Sequence, residues 1–174
     1  KLLCGGEALS LALSSKLKSH FSFVINLYGP TETTIWSSYH IISGNEIDAI
    51  PIGVPIGQTS LYILDNELKK MKSNSLGEIC VGGPGVALGY MRRSNLTNDK
   101  FVYLDNDERI YRTGDFGREL NGELIFVGRD DRQIKIHGNR IELGEIEHHI
   151  DKYHLIKKSI VIVVEDNKKS LVAF

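Results

Sequence analysis

Cysteine, methionine and tryptophan are scarce: the 174 residues hold two Cys, two Met and one Trp. Two thiols, Cys4 and Cys80, cannot build the disulfide framework of a small secreted scaffold, and both sit in apolar, strand-like contexts. They read as free buried thiols in a reducing compartment, with the cytoplasm as the expected location. Charge of one sign is also missing. The formal net charge is −1, from 21 Lys and Arg against 22 Asp and Glu. That balance gives no electrostatic footprint for nucleic acid or an anionic membrane surface. No apolar run approaches the ~20 residues of a membrane span. Neither an initiator Met nor a signal-peptide pattern precedes Lys1-Leu2-Leu3-Cys4. Six histidines are present, but His148-His149 and His154 do not make a metal-ligand spacing and read as helical surface residues. Asp105-Asn106-Asp107 starts like a calcium loop yet lacks the following Gly and the distal Glu.

What remains is a soluble globular composition, 41% hydrophobic and 25% charged, long enough for one ordinary domain. Both ends read as cut. Leu2-Leu3-Cys4 enters a glycine pair as if from the middle of a sheet, and Leu171-Val172-Ala173-Phe174 reads as a strand that stops. A partial sequence is the expectation. Glu7 to His20 carries Leu9, Leu13 and Leu17 four apart, as on one helix face. Phe23-Val24-Ile25 is a short buried strand. From Gly44 to Gly117 short strands alternate with Gly and Pro turns, Leu61–Leu64 and Glu78–Val81 being the clearest, which suits a small bent sheet or barrel. Asn121-Gly122 predicts a hairpin over 118–128, because a type I′ turn needs positive φ at both central residues. A second hairpin is expected to turn at His137-Gly138-Asn139, followed by a helix over 145–153 with Ile146, Ile150 and Tyr153 on one face. A strand over 160–164 completes a small α+β unit. The polar Arg129-Asp130-Asp131-Arg132 cluster is the candidate domain boundary.

Tyr28-Gly29-Pro30-Thr31-Glu32 is the segment richest in chemistry. A tight turn at the end of a buried strand brings an aromatic face, a hydroxyl and a carboxylate together. The ring can stack on a base, the hydroxyl can donate to a phosphate oxygen, and the acid can ligate magnesium bound to phosphates. An ordinary turn with a packed Tyr has the same sequence.

That segment does not stand alone. Asn26-Leu27-Tyr28-Gly29-Pro30-Thr31-Glu32-Thr33-Thr34 resembles the fifth core motif of the adenylation domains of nonribosomal peptide synthetases, which are adenylate-forming, AMP-binding enzymes. Gly77-Glu78-Ile79-Cys80-Val81-Gly82-Gly83 through Gly85-Val86-Ala87-Leu88-Gly89-Tyr90 resembles the sixth. Tyr111-Arg112-Thr113-Gly114-Asp115 resembles the seventh, and the run from Gly128 to Glu147 resembles the eighth. Leu88 and His137 stand where Arg is common and are given no role. The resemblance implies an α/β plus β fold. Residues 1–43 would end a large N-terminal α/β subdomain holding the substrate and adenine pocket. Residues 44–130 would form a small distorted β-barrel, and 131–174 would begin a mobile α+β C-terminal lid.

The resemblance also implies roles. Tyr28 would stack on adenine, with Gly6 and Glu7 opposite, Gly29 in the same nucleotide-binding set and the Asn26 amide near the exocyclic amine. Thr31 would contact the α-phosphate and Glu32 would hold magnesium, the two being the catalytic pair. Asp115 would accept from both ribose hydroxyls, with Arg129 nearby; a surface Arg paired to Asp130 or Asp131 is the plainer alternative for Arg129. Asp131 matches a hinge, and Gly138 a pantetheine channel, although a hairpin glycine would look the same. Leu3, Gly5, Leu27, Ile35 and Trp36 would line an uncharged amino-acid pocket, in which a large indole disfavours bulky substrates. Glycine is the expected substrate and alanine the second choice, with a plain core role for Trp36 as the alternative.

The implied reaction joins an amino acid to ATP as aminoacyl-AMP with release of pyrophosphate. The acyl group then passes to the phosphopantetheine thiol of a peptidyl carrier domain, with a condensation domain of the same megasynthetase as a further partner. The phosphate loop and the aspartate for the substrate amine would precede Lys1, and a catalytic Lys would follow Phe174, so the isolated chain is expected to be inactive. An acyl-CoA synthetase-type activation of another acid, or a catalytically silent docking segment, are the competing readings.

Overall fold

The computed structural model describes residues 1–129, 133–136, 139–166 and 168–174; the expected hinge Asp131, the channel residue Gly138 and the turn at His137 lie outside the described residues. The chain forms two compact units, Lys1–Asp130 and Asp131–Phe174.

The first unit opens with β1 (Leu2–Gly5), α1 (Leu11–His20) and β2 (Val24–Tyr28), in which the two strands run parallel with Cys4 opposite Asn26 and Gly5 opposite Leu27. Ser10 caps α1: its hydroxyl accepts from the Leu13 N–H at 3.2 Å, satisfying one of the donors a helix start leaves open. The four-residue leucine stripe is only partly the packing face. Leu9, Leu11 and Leu17 lie against Val24, Ile42 and Ile50, whereas Leu13 is 47% exposed and Ser14 is buried. Positions 11, 14 and 17 share the inward face, since about 100° separates successive residues and an i, i+3 series stays on one side. β3 (Ser38–Ile41) pairs antiparallel with β2, and β4 (Val54–Pro55) with β3. The resulting mixed sheet runs β1-β2-β3-β4.

The second sheet comprises β5 (Ser60–Leu64), β6 (Gly77–Gly82), β7 (Phe101–Tyr103), β8 (Arg109–Leu120) and β9 (Glu123–Arg129), with a short helix α2 (Ser94–Lys100) leading into β7. Its order is β5-β6-β8-β7, with β9 also on β8. The long β8 takes β7 along its first half and β9 along its second, so among the described residues the pairing stays open and does not close into the expected barrel. Asn121 and Gly122 have φ of 53° and 82°, the positive pair that the β8–β9 turn demands. Every residue of β6 is buried, and Ile79 joins Ile52, Ile63 and Leu124 in a core on which Tyr28 also packs. Cys80 is buried in a second cluster with Leu64 and Ile110, and burial pushes its thiol up to about 12; Cys4, expected buried, is only half-buried.

The two sheets meet at the segment 52–55. Gly53 exchanges backbone hydrogen bonds with Leu124 of β9 at 3.2 and 3.0 Å, while the next residues pair with β3. At φ 80° a Cβ on Gly53 would stand 1.9 Å from the Tyr39 carbonyl oxygen. Beside this seam His40 of β3 lies between two carboxylates, 2.7 Å from Glu123 and 3.2 Å from Glu46.

The second unit holds the β10 (Gln133–Ile136) and β11 (Asn139–Glu142) ladder, α3 (Leu143–Ile150), and the β12 (Val161–Asp166) and β13 (Lys168–Ala173) ladder. The helix starts at Leu143 and stops at Ile150, before Tyr153, which is 56% exposed and does not share its face. The physical reason is at its end: the Asp151 carboxylate accepts from the N–H and hydroxyl of Ser159 at 2.6 and 2.8 Å, turning the chain back, and Glu147 accepts from the Val161 N–H at 2.7 Å. No helix among the described residues is long and apolar enough to cross a membrane.

Gly53→Ala is expected to destabilise the protein by at least about 2 kcal/mol in urea unfolding, because both its φ and the Tyr39 carbonyl oppose a side chain. Wild-type stability in that variant would show that the seam tolerates displacement.

Candidate nucleotide and substrate site

The site begins where β2 ends. Tyr28 leaves the strand with its ring against the Ile52–Ile79 core, and its hydroxyl donates to Asp115 Oδ2 at 2.6 Å across 87 positions of sequence. Burial, followed by the adjacent Asp115 charge, holds the Tyr28 phenol well above its ordinary range, so it stays a donor. Arg129 of β9 pairs with the other oxygen of Asp115, and its Nη2 donates to the Thr113 carbonyl at 3.2 Å. Arg129 is thus largely buried against Asp115; Asp130 and Asp131, its alternative partners, lie outside the described residues. Asp115 is 7% exposed. A carboxylate so buried is costly unless paired, and here each oxygen has one protein donor. Each keeps further lone-pair capacity for a ligand hydroxyl, since an ionised carboxylate offers about four acceptor sites.

Asp115 reaches Tyr28 because β8 bulges beside it. Cys80 pairs with Arg112 and Glu78 with Phe116, so three residues of β8 stand against one of β6. Bulges of this kind redirect side chains beside binding sites. Thr113 donates to the Ile79 carbonyl at 2.7 Å and accepts from the Asp115 N–H at 2.9 Å.

After Tyr28 the chain makes a single 3-10 turn, Thr31–Thr33, which leaves Thr31 exposed and turns Glu32 inward to 8% exposure. Glu32 does not join the Tyr28–Asp115 contact directly. Its carboxylate accepts from the Tyr90 hydroxyl at 2.7 Å, and Tyr90 lies 3.2 Å from the hydroxyl of buried Tyr111. Burial, then the Tyr111 and Glu32 hydrogen bonds, raises the Tyr90 phenol, which keeps its proton for Glu32. The loop carrying Tyr90 is anchored by Arg109, whose guanidinium donates to the Ala87 and Leu88 carbonyls at 2.6 and 2.8 Å. Sequence reasoning gave no role to Tyr90, Tyr111, Glu78 or Arg112, although all four stand inside the quoted motifs; the signal was there without the pairing that explains it.

Thr34 and Ile35 follow at φ 62° and 73°, positions that β-branched residues rarely hold. The Thr34 hydroxyl donates to the Gly85 carbonyl at 2.8 Å, and the Ser37 N–H to the Tyr28 carbonyl at 2.8 Å, which fix the loop at both ends. Its effect is to lay Trp36 across Gly5: a Cβ there would stand 2.5 Å from the indole. Leu3 and Gly5 alternate on one face of β1, Leu27 is opposite Gly5, and Ile35 is 63% exposed. Leu3, Gly5, Leu27 and Trp36 thus share a face. Gly29 lies against the backbone of residues 35–37, and Gly6 follows β1 at φ 98° with exposed Glu7 after it. Asn26 is buried and its amide nitrogen donates to the Pro51 carbonyl at 2.7 Å. No three His, Cys, Asp or Glu side chains among the described residues converge as a metal site.

The dimodular nonribosomal peptide synthase of Bacillus subtilis (strain 168) is 44% identical over 170 residues, which are 95% of this chain and 7% of that protein. The solved structure of PA1221, a nonribosomal peptide synthetase protein containing adenylation and PCP domains, superposes with a TM-score of 0.88 at 33% identity, covering 98% of this chain and 37% of that one. The Vibrio cholerae adenylation domain AlmE, solved in complex with glycyl-adenosine-5'-phosphate, gives a TM-score of 0.90 at 30% identity over 99% of this chain and 35% of its own. The chain thus spans a small part of that curated relative and about a third of these solved chains. The family model "AMP-binding enzyme" matches residues 1–91, and with the aromatic–carboxylate–guanidinium constellation in place the chain belongs to the AMP-binding enzyme family.

Proposed function

We propose that this chain is part of an amino-acid-activating adenylation domain. The carboxylate oxygen of an amino acid attacks the α-phosphorus of ATP, the bond to pyrophosphate breaks, and aminoacyl-AMP forms. A carrier-domain phosphopantetheine thiol then attacks the acyl carbon and AMP leaves. The observation that carries this reading is the Asp115 carboxylate held between the Tyr28 hydroxyl and Arg129, a buried acceptor pair beside an aromatic ring. In that arrangement Tyr28 presents its ring to adenine and Asp115 accepts from the ribose hydroxyls. With the Asn26 amide nitrogen committed to Pro51, its oxygen is left to accept from the adenine amine. Gly6 and Glu7 flank the base and Gly29 closes the turn below it. Thr31, exposed on the 3-10 turn, donates to the α-phosphate.

Glu32 fits a magnesium ion bound mainly by phosphates, because such ions take only one or two protein carboxylates. When bound, that ion would neutralise charge on the phosphates. Residues 1–43 then end the large subdomain, 44–130 form the β-rich subdomain, and 131–174 begin the lid, with Asp131 as hinge and Gly138 beside the pantetheine. A carrier domain, as in PA1221, and a condensation domain are the partners of such a unit.

Glycine is the proposed substrate. Trp36 fills the face above Gly5, Leu3 and Leu27 add apolar surface, and Ile35 stands at the rim, so little room remains for a side chain. The likeness to AlmE, solved with glycyl-adenosine-5'-phosphate, supports this choice.

In the complete adenylation enzyme, Asp115→Asn is expected to weaken AMP binding by about 10- to 100-fold in calorimetric titration, the worth of hydrogen bonds to a charged acceptor. Unchanged affinity would remove the nucleotide role. In amino-acid-dependent pyrophosphate exchange, glycine is expected to give the highest kcat/KM, and Trp36→Ala to shift the ratio toward larger apolar amino acids by about tenfold or more. A bulky or charged amino acid preferred by the unaltered enzyme would overturn the assignment.

A further inference from the structure

Glu78 is a buried carboxylate, 6% exposed, that the reaction itself does not use. It stands on β6 directly beneath the bulge of β8. One oxygen accepts from Arg112 Nε at 2.8 Å and Nη2 at 2.6 Å; the other accepts from the Gly114 N–H at 2.9 Å. Arg112 begins the bulge and Gly114, at φ 73°, is its apex. A single carboxylate thus fixes the start and the middle of a loop whose next residue is Asp115. Thr113 closes the same loop from inside, through Ile79 and the Asp115 N–H. A buried acid committed on both oxygens has no lone reactive group to offer a substrate. What it controls is where the backbone places its neighbour.

We infer that Glu78 is a positioning residue for nucleotide binding, acting through the Arg112–Gly114 bulge to hold Asp115 at the ribose, an inference that rests on the nucleotide role of Asp115. The chemistry requires a carboxylate. A Gln at 78 has one acceptor oxygen and one donor amide, so it can serve Gly114 or Arg112 but not both. One end of the bulge is then released.

The test is made in the complete adenylation enzyme, with AMP as the titrated ligand and melting temperature measured alongside. Glu78→Gln is expected to raise the Kd for AMP about tenfold and the KM for ATP by more than kcat falls, while the KM for glycine stays unchanged. Combined with Asp115→Asn, it is expected to add nothing to the loss from Asp115→Asn alone, since both act on one contact. Thr113→Val, which keeps the shape and removes the hydroxyl inside the bulge, is expected to give the same loss of affinity and the same non-additivity if Glu78→Gln does not fold. The inference is overturned if Asp115→Asn loses AMP while Glu78→Gln, or the folded Thr113→Val, binds it as the unaltered enzyme does. It is equally overturned if the losses multiply. If Asp115→Asn itself binds AMP normally, the nucleotide reading fails first and this inference with it.

Discussion

A single buried negative charge organises the larger unit. Asp115 takes the Tyr28 hydroxyl on one oxygen and Arg129 on the other, and so ties the end of β2 to the two longest strands of the second sheet. Left unpaired, a carboxylate at 7% exposure would be expensive; paired, it draws three distant parts of the chain to one point. In the proposed nucleotide role the same pairing would orient its acceptor oxygens toward hydroxyl groups of a ligand, so that structural and functional demands on this residue would coincide.

Around that contact the chain repeatedly departs from regular structure. The β8 bulge, the 3-10 turn and the left-handed Thr34-Ile35 pair each interrupt a strand or follow one. Each departure is held by polar side chains whose partners lie on another element: Glu78 under the bulge, Tyr90 on Glu32, Thr34 on Gly85. Regular strands supply the rigidity, and the irregular connections supply the directions in which side chains point. Trp36 illustrates the result. Its indole covers Gly5 only because two β-branched residues ahead of it adopt positive φ.

Much of the local structure was legible in the sequence because it depends on local chemistry. Asn121-Gly122 turned as the type I′ preference requires, and the strands around 61–64 and 78–81 emerged from their apolar patterns. Periodicity misled where tertiary packing chose the face: Leu13 belongs to the leucine stripe yet is exposed, while Leu11 and Leu17 pack on the sheet. The second sheet, expected as a barrel, is open among the described residues, with β5 at one edge and β7 and β9 along the other side of β8. Local pattern does not reveal how long one strand will keep pairing.

The family was legible in the sequence through the resemblance of four motifs in order, and the candidate residue types with it: an aromatic, a hydroxyl and an acid at one turn, with a later Thr-Gly-Asp. Only the folded chain decided which partners they take: Asp115 with Tyr28 and Arg129, Glu32 with Tyr90, Glu78 with Arg112 and Gly114. The reason is distance along the chain. Tyr28 and Asp115 are 87 positions apart, and such contacts arise from sheet register and bulges, which no short stretch of sequence contains.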